Sequence, residues 1–285
     1  MEYLRCVNCK SELSLNTFIK TTEVEEGFLQ CVKCKKNYPI IMSIPLLLDI
    51  SSYLSVRTKL GGELMLIVKN MRLRSFLKEN LHKIKNPQSD TTNLEKNWVS
   101  IYKHSIKSKF YNYVKNSIQK LPKCKLVLDH GCSIGHVSSE LAKRSKTVFG
   151  IDKSFYAILE AKRQNLKNSD FIVANSLNHP FGNKKFDIVV ALNLLDIIEP
   201  LKLLKVILCQ TKKFVLISDP YDFERGKDSV KNKIDANEVR LYLRQNSFRL
   251  IQGTEQPGFI PWKLTVNDRL NLNYKVDMIV ARNNR

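Results

Sequence analysis

At 285 residues the chain exceeds one average domain, and its 43% apolar content is enough for a real core, which favours two domains of unequal size. No segment reaches the ~18 uncharged apolar residues that spanning a bilayer requires; the nearest, residues 60–71, is interrupted by Glu63 and Lys69. A formal charge of +20 favours nucleic acid or another polyanion as a partner, although lysine and asparagine are abundant throughout and the basic residues are scattered, as a compositional bias would produce. The opening Met-Glu-Tyr-Leu-Arg-Cys lacks the apolar core of a signal peptide, so a cytoplasmic location is expected.

Four of the seven cysteines occur as Cys6-Val7-Asn8-Cys9 and Cys31-Val32-Lys33-Cys34. Two Cys-x-x-Cys turns about twenty residues apart each direct two sulfurs at one ion, the pattern of a tetrahedral thiolate zinc site. A reducing cytoplasm disfavours disulfides, and a segment this short folds with difficulty unless a metal holds it. Cys6, Cys9, Cys31 and Cys34 are therefore the expected ligands of a structural zinc, with a redox pair as the alternative. Four thiolates leave no open position for substrate, so the metal is not expected to be catalytic. The phrase Gly27-Phe28-Leu29-Gln30-Cys31, Asn37-Tyr38-Pro39-Ile40 and Ser43-Ile44-Pro45-Leu46-Leu47-Leu48 resembles the zinc-ribbon activator subunits of tRNA, rRNA and protein methyltransferases. The resemblance covers residues 1–48 and implies a docking or substrate-presenting module fused to an enzyme.

Residues 49–96 read as a helical connector and linker. Apolar residues recur at helical spacing from 64 to 84, including Leu73, Phe76, Leu77, Leu81 and Ile84, with lysines and arginines between them; a membrane-surface amphipathic helix is the alternative. Asn86-Pro87-Gln88-Ser89-Asp90-Thr91-Thr92-Asn93 is polar and carries a proline, as a linker does. One long helix is then expected, because Trp98, Ile101, Tyr102, Ile106, Phe110, Tyr113, Val114, Ile118 and Leu121 share a face, with Pro122 as its stop.

The stretch Leu126-Val127-Leu128-Asp129-His130-Gly131-Cys132-Ser133-Ile134-Gly135-His136 reads as strand, tight turn and helix start. Its glycines let the backbone take left-handed torsions and let a ligand come close. A second strand, 146–151, ends at Asp152, roughly where a Rossmann-like unit places its ribose-binding carboxylate. The dinucleotide fingerprint itself is not met, since its first glycine would fall on Asp129. The stretch instead resembles the first motif of class I S-adenosylmethionine (SAM) methyltransferases, acid-x-Gly-x-Gly-x-Gly, matched at Asp129, Gly131, Ser133 and Gly135, with serine in place of the middle glycine.

The resemblance implies a doubly wound α/β domain over 97–285, with a Rossmann-like seven-stranded sheet whose last strand is antiparallel. It implies SAM as cofactor, held by Asp129, Gly131, the Cys132 backbone, Gly135 and Asp152. Asn175, with Ser176 beside it, stands where the family sets an amide against adenine; a turn-capping asparagine is the other reading. Residues 186–192 form the clearest buried strand, and its carboxyl end aims Asn193 and Asp196 at the ligand crevice. The Asn-Pro-Pro-Tyr loop of base-amine methyltransferases is absent there, and the similar Ser218-Asp219-Pro220-Tyr221-Asp222-Phe223 comes one strand later. Asn193-Leu194-Leu195-Asp196 followed by Pro220-Tyr221, with Ile260-Pro261-Trp262, Arg269 and Tyr274, resembles the N-methyltransferase domain of ovothiol synthesis.

Asp235-Ala236-Asn237-Glu238 is a cap-like helix start. Residues 248–251 and 276–280 read as the last strands, and the methyltransferase resemblance implies that an insertion such as 252–272 covers the substrate. Cys124 and Cys209 read as packing residues. Asp196, Asp219 and Tyr221, with Asp222, are the groups that could free a nitrogen lone pair. Three functions compete. The first is methyl transfer to a nitrogen of a small molecule, such as a histidine-derived imidazole. The second is an RNA methyltransferase using the ribbon and basic surface, and the third a non-catalytic SAM-fold scaffold.

Overall fold

The computed structural model describes residues 2–85 and 88–285; Met1, and Asn86 and Pro87 of the expected linker, lie outside the described residues. The chain opens with an antiparallel meander of β1 (Leu13–Lys20), β2 (Val24–Cys31), β3 (Asn37–Ile41) and β4 (Ile44–Leu47). Three helices follow, α1 (Ile50–Ser55), α2 (Thr58–Ile67) and α3 (Met71–His82). The apolar run of 64–84 is thus broken at 68–70. Asn70 caps α3 by accepting the amides of Arg72 and Leu73, and the Glu26 carboxylate accepts those of Lys69 and Asn70, both at 2.8 Å. Amides held by carboxylates and caps have no reason to continue the preceding helix.

The expected long helix is likewise two, α4 (Thr92–His104) and α5 (Lys109–Lys120). Ser105 turns its hydroxyl onto the Ile101 carbonyl at 2.7 Å and Ser108 caps α5 through the Tyr111 amide. Short hydroxyl side chains offer the backbone an alternative to helix, and here two of them bend one amphipathic pattern into two helices.

The rest alternates as β5 (Cys124–His130), α6 (His136–Ala142), β6 (Ser145–Asp152), α7 (Phe155–Arg163), β7 (Ser169–Ala174), β8 (Phe186–Leu192), α8 (Pro200–Gln210), β9 (Thr211–Asp219), α9 (Ala236–Gln245), β10 (Phe248–Leu250), β11 (Ile260–Asn267) and β12 (Leu270–Asn283). Strand order is β7-β6-β5-β8-β9-β12-β10, parallel through β9 with β12 antiparallel, the expected seven-stranded arrangement. Both faces are covered: α8 and α9 pack on one, α5 and α6 on the other, which is why Ile188, Val189, Val190 and Ala191 form an unbroken apolar run. The cap-like start of α9 is a full capping box between Asp235 and Glu238. Within 252–272 the chain forms β11, hairpinned onto the first half of β12. Cys124 is buried as expected, whereas Cys209 is exposed, on the outer side of α8.

β4 runs parallel to β7, pairing Leu46 with Val173 and Leu47 with Ala174, so the N-terminal meander extends the central sheet. Leu4, Cys6, Leu29 and Tyr38 pack into one apolar cluster with Phe149, Phe181 and Phe186. The Arg5 amide donates to the Pro180 carbonyl and Lys10 Nζ to Asn178 Oδ1, each at 2.7 Å.

Candidate active site

A cleft of about 430 Å³ opens at the carboxyl ends of β5, β6 and β8, a size within the ~300–1,000 Å³ of small-ligand pockets. Its floor is the β5–α6 loop. Gly131 has φ +62° and a Cβ there would stand 2.6 Å from Leu194; Gly135 has φ +75° and forms the left-handed cap of α6. Ser133 also sits in the left-handed region, at φ +49°, so the position that carries glycine in the resembled motif keeps a glycine-like backbone with a serine on it. Side chains there cost about 1–2 kcal/mol.

Asp152 stabilises this loop. Its Oδ2 accepts the Ser133 amide at 3.0 Å and its Oδ1 the Ser154 amide at 2.8 Å. Asp129, at the end of β5, accepts the Ser138 hydroxyl at 2.6 Å. Burial raises both carboxyls above their ordinary range, Asp129 to about 7. Asn193 has φ +56° and takes a hydrogen bond from the Ser218 hydroxyl on Oδ1 at 2.9 Å. Asp129, Gly131, Cys132, Ser133, Asp152 and Asn193 all line the cleft. Gly135 supports it from the start of α6, while Asn175 caps the Ser176–Asn178 turn through the Leu177 amide, and neither it nor Ser176 is among the lining residues. A buried and a half-buried carboxyl group beside a glycine loop offer what a nucleoside needs: acceptors for hydroxyls and backbone close enough to touch.

The opposite wall is aromatic. Trp98 stacks on Tyr102 at 5.6 Å, Tyr102 lies parallel to Trp262 at 6.4 Å, and Phe110 meets Trp262 at 5.4 Å. Tyr111 stands edge-on to His136 at 4.8 Å. The break between α4 and α5 brings these rings together with β11. Two ion pairs close the ends: Arg57 Nε to Glu95 Oε1 at 2.6 Å, and Arg225 Nη1 to Asp196 Oδ2 at 3.0 Å. Arg57, Glu95 and Arg225 line the cleft and were invisible to motif reasoning, because partners 38 and 29 residues apart carry no spacing signal. The Trp98–Tyr102 step of four residues was a usable signal, since it places both rings on one helix face.

The three candidate catalytic groups lie behind the cleft rather than in it. Asp196 is fully buried beneath Arg225, and burial lifts its carboxyl to about 6. Asp219 is also buried, accepts the amides of Leu195, Asp196 and Tyr221, and is pushed well up by burial and then by Asp196. Tyr221 donates to Asp277 at 3.3 Å. Together they shape the loop that carries Asn193 and Leu194.

The sulfurs of Cys6, Cys9, Cys31 and Cys34 lie within 4.8 Å of one another. Each knuckle ends in a lysine of left-handed backbone, Lys10 at φ +61° and Lys35 at φ +58°, and the Cys34 amide donates to Cys31 Sγ at 3.3 Å. This donor set fits a tetrahedral thiolate-binding ion such as zinc.

Residues 127–209 match the family model described as a methyltransferase domain. No curated protein matches the chain. Among solved structures, a chain of the Haloferax volcanii complex between the Trm112 methyltransferase activator and a protein described as a methyltransferase aligns at TM-score 0.53 with 14% identity, over 68% of this chain and 97% of that one. Magnesium protoporphyrin IX methyltransferase from Synechocystis with bound S-adenosylhomocysteine aligns at TM-score 0.48, 16% identity, 68% and 95% coverage. The N-methyltransferase NodS from Bradyrhizobium japonicum with the same ligand aligns at 0.47, 14% identity, 63% and 90%. At 14% identity the Haloferax likeness concerns the fold, and residues 127–209 are the part of the chain that the methyltransferase-domain model matches.

Proposed function

We propose that the chain transfers a methyl group from SAM to a nitrogen of a small planar molecule, of which a histidine-derived imidazole is one candidate. The observation that carries this reading is the two-sided cleft, with carboxylates and a glycine loop on one wall and stacked aromatic rings on the other. The acidic wall suits the cofactor; the aromatic wall suits a flat acceptor.

Bound SAM would supply an electrophilic methyl on a sulfonium sulfur, with S-adenosylhomocysteine as the leaving group. Asp152 would hold the ribose hydroxyls while fixing the Ser133 amide, and the Gly131–Ser133 loop that lines the cleft would lie against the cofactor. Trp98 and Tyr102 would set the plane of the acceptor and keep water out. Positioning of this kind lowers a barrier by up to ~7–11 kcal/mol, so no covalent intermediate is required. Asp196 would act through Arg225, and Asp219 through the loop it braces. A structural zinc on Cys6, Cys9, Cys31 and Cys34 would stabilise the N-terminal meander.

An RNA acceptor is the second reading, favoured by the +20 charge and by the way the ribbon-like meander joins the catalytic sheet through β4 and β7. Treating extracts with methyl-labelled SAM and the purified enzyme, then scoring metabolite, RNA and protein fractions by mass spectrometry, separates the two. Label confined to RNA would replace the small-molecule reading.

A further inference from the structure

Resting on the methyltransferase reading above, we infer that the acceptor carries a carboxylate on a flat aromatic frame, with Arg225 as its anchor beside the slot formed by Trp98, Tyr102 and Trp262. Arg225 lines the cleft. A guanidinium offers five N–H donors, yet Arg225 makes a single side-chain hydrogen bond among the described residues, from Nη1 to Asp196. Its guanidinium carbon stands 5.7 Å from the centre of the Tyr274 ring, which leaves the fork open while an aromatic face steadies it. Trp262, on the same cleft, has its Nε1–H buried without an acceptor.

The polarity of these vacancies decides the ligand class. At the Arg225 side of the cleft the unused groups are donors, on Arg225 and Trp262, while the unused acceptor Glu95 Oε2 belongs to the separate ion pair with Arg57. Asp196 Oδ1, also without a partner, belongs to a residue that is 0% exposed and paired with the guanidinium. An incoming ammonium would meet Arg225 first and be repelled; an incoming carboxylate would meet a planar fork of matching geometry. Asp196 orients that fork and is itself a positioning residue. The rings beside it accept a flat body, so the two features together select an aromatic or heteroaromatic carboxylate over an aliphatic amine.

Trp98 and Trp262 are the two tryptophans of the chain, and both line the cleft, so intrinsic fluorescence reports on the slot directly. The probes are phenylacetate, phenylacetamide and phenethylamine, which share a ring and differ in the charge of the tail, titrated into the full-length protein with and without S-adenosylhomocysteine. Phenylacetate is expected to bind roughly tenfold or more tightly than the other two, the value of a charge-assisted bond. Replacing Arg225 alone strands the buried Asp196, so the variant for this test is Arg225→Gln combined with Asp196→Asn, checked for folding by circular dichroism. It should lose the carboxylate preference. Phenethylamine binding tightest, equal affinity for all three probes, no binding of any, or a preference that survives in the double variant would each overturn the inference. Calorimetry with S-adenosylhomocysteine is read separately: absence of cofactor binding with the carboxylate preference intact removes the methyltransferase reading and leaves the slot.

Discussion

The two edges of the sheet are closed by different physics. At the β7 edge the cover is the N-terminal meander, joined by only two backbone rungs of β4 and organised around four thiols. At the other edge β12 carries β10 along its C-terminal part and β11 along its first half, and a buried ion pair ties it to α9. Arg240 meets Asp277 in a two-pronged bond of 2.7 and 2.8 Å with both side chains almost fully buried. One edge thus carries a thiol cluster that fits an ion from outside the chain, the other an ion pair made of groups the chain supplies. The cleft lies between them and draws residues from both sides, with Trp98 and Tyr102 following the N-terminal helices and Trp262 standing on β11.

The largest effect should come from the edge that carries the four thiols. Cys6→Ser, or prolonged chelation, should strip the ion and unfold residues 2–48, since structural zinc supplies on the order of 10 kcal/mol to such modules. Metal analysis together with hydrogen exchange of the β4 amides checks this, and full metal content in the purified variant would refute it. At the opposite edge Asp277→Asn leaves Arg240 as an uncompensated buried charge. A loss of about 3–5 kcal/mol in denaturant unfolding is expected, with the metal site untouched. If the two variants instead destabilise both edges equally, the contrast between them fails.

Effects on the cleft should be smaller and confined to ligand binding. Asp152→Ala should weaken SAM binding by roughly ten- to a hundredfold, the worth of about 1.5–3 kcal/mol of charge-assisted bonds, while leaving the fold intact; unchanged affinity by calorimetry would remove Asp152 from the site. The mildest signature is in pH. Asp129 has its folded carboxyl raised to about 7 from an ordinary value of 3.8, so the folded state retains a proton that the unfolded state releases. Its contribution to stability is present below about pH 4 and is lost as pH rises through about 7. Asp129→Asn should therefore flatten the fall in melting temperature between pH 5 and pH 8 by a few degrees, and an unaltered slope in differential scanning calorimetry would contradict the assignment.

Much of the parallel core was legible because its signals are local. The run 186–192, the glycine turn at 131–135 and the Asp235–Glu238 box each carry their structural reason within a few residues. The same holds for the four cysteines, whose pairing in space follows from two short turns. The helix breaks at 68–70 and 105–108 were missed, because an amphipathic pattern can continue across a break that Glu26 or a serine hydroxyl imposes. Cys209 was misplaced for a related reason: helical phase sets which side faces the sheet, and α8 turns that position outward.

The sequence by itself determined the class of fold, the acids that end the first two core strands and the thiol cluster, since each depends on periodicity, glycine torsions or ligand spacing over short distances. Only the tertiary structure decided that the N-terminal meander adds strands to the catalytic sheet, that Arg57 faces Glu95, and that Arg225 stands over Asp196 with its fork open. Those arrangements join residues tens of positions apart, and the physical reason they escaped the sequence is that burial and backbone pairing across such separations are set by how the whole chain packs.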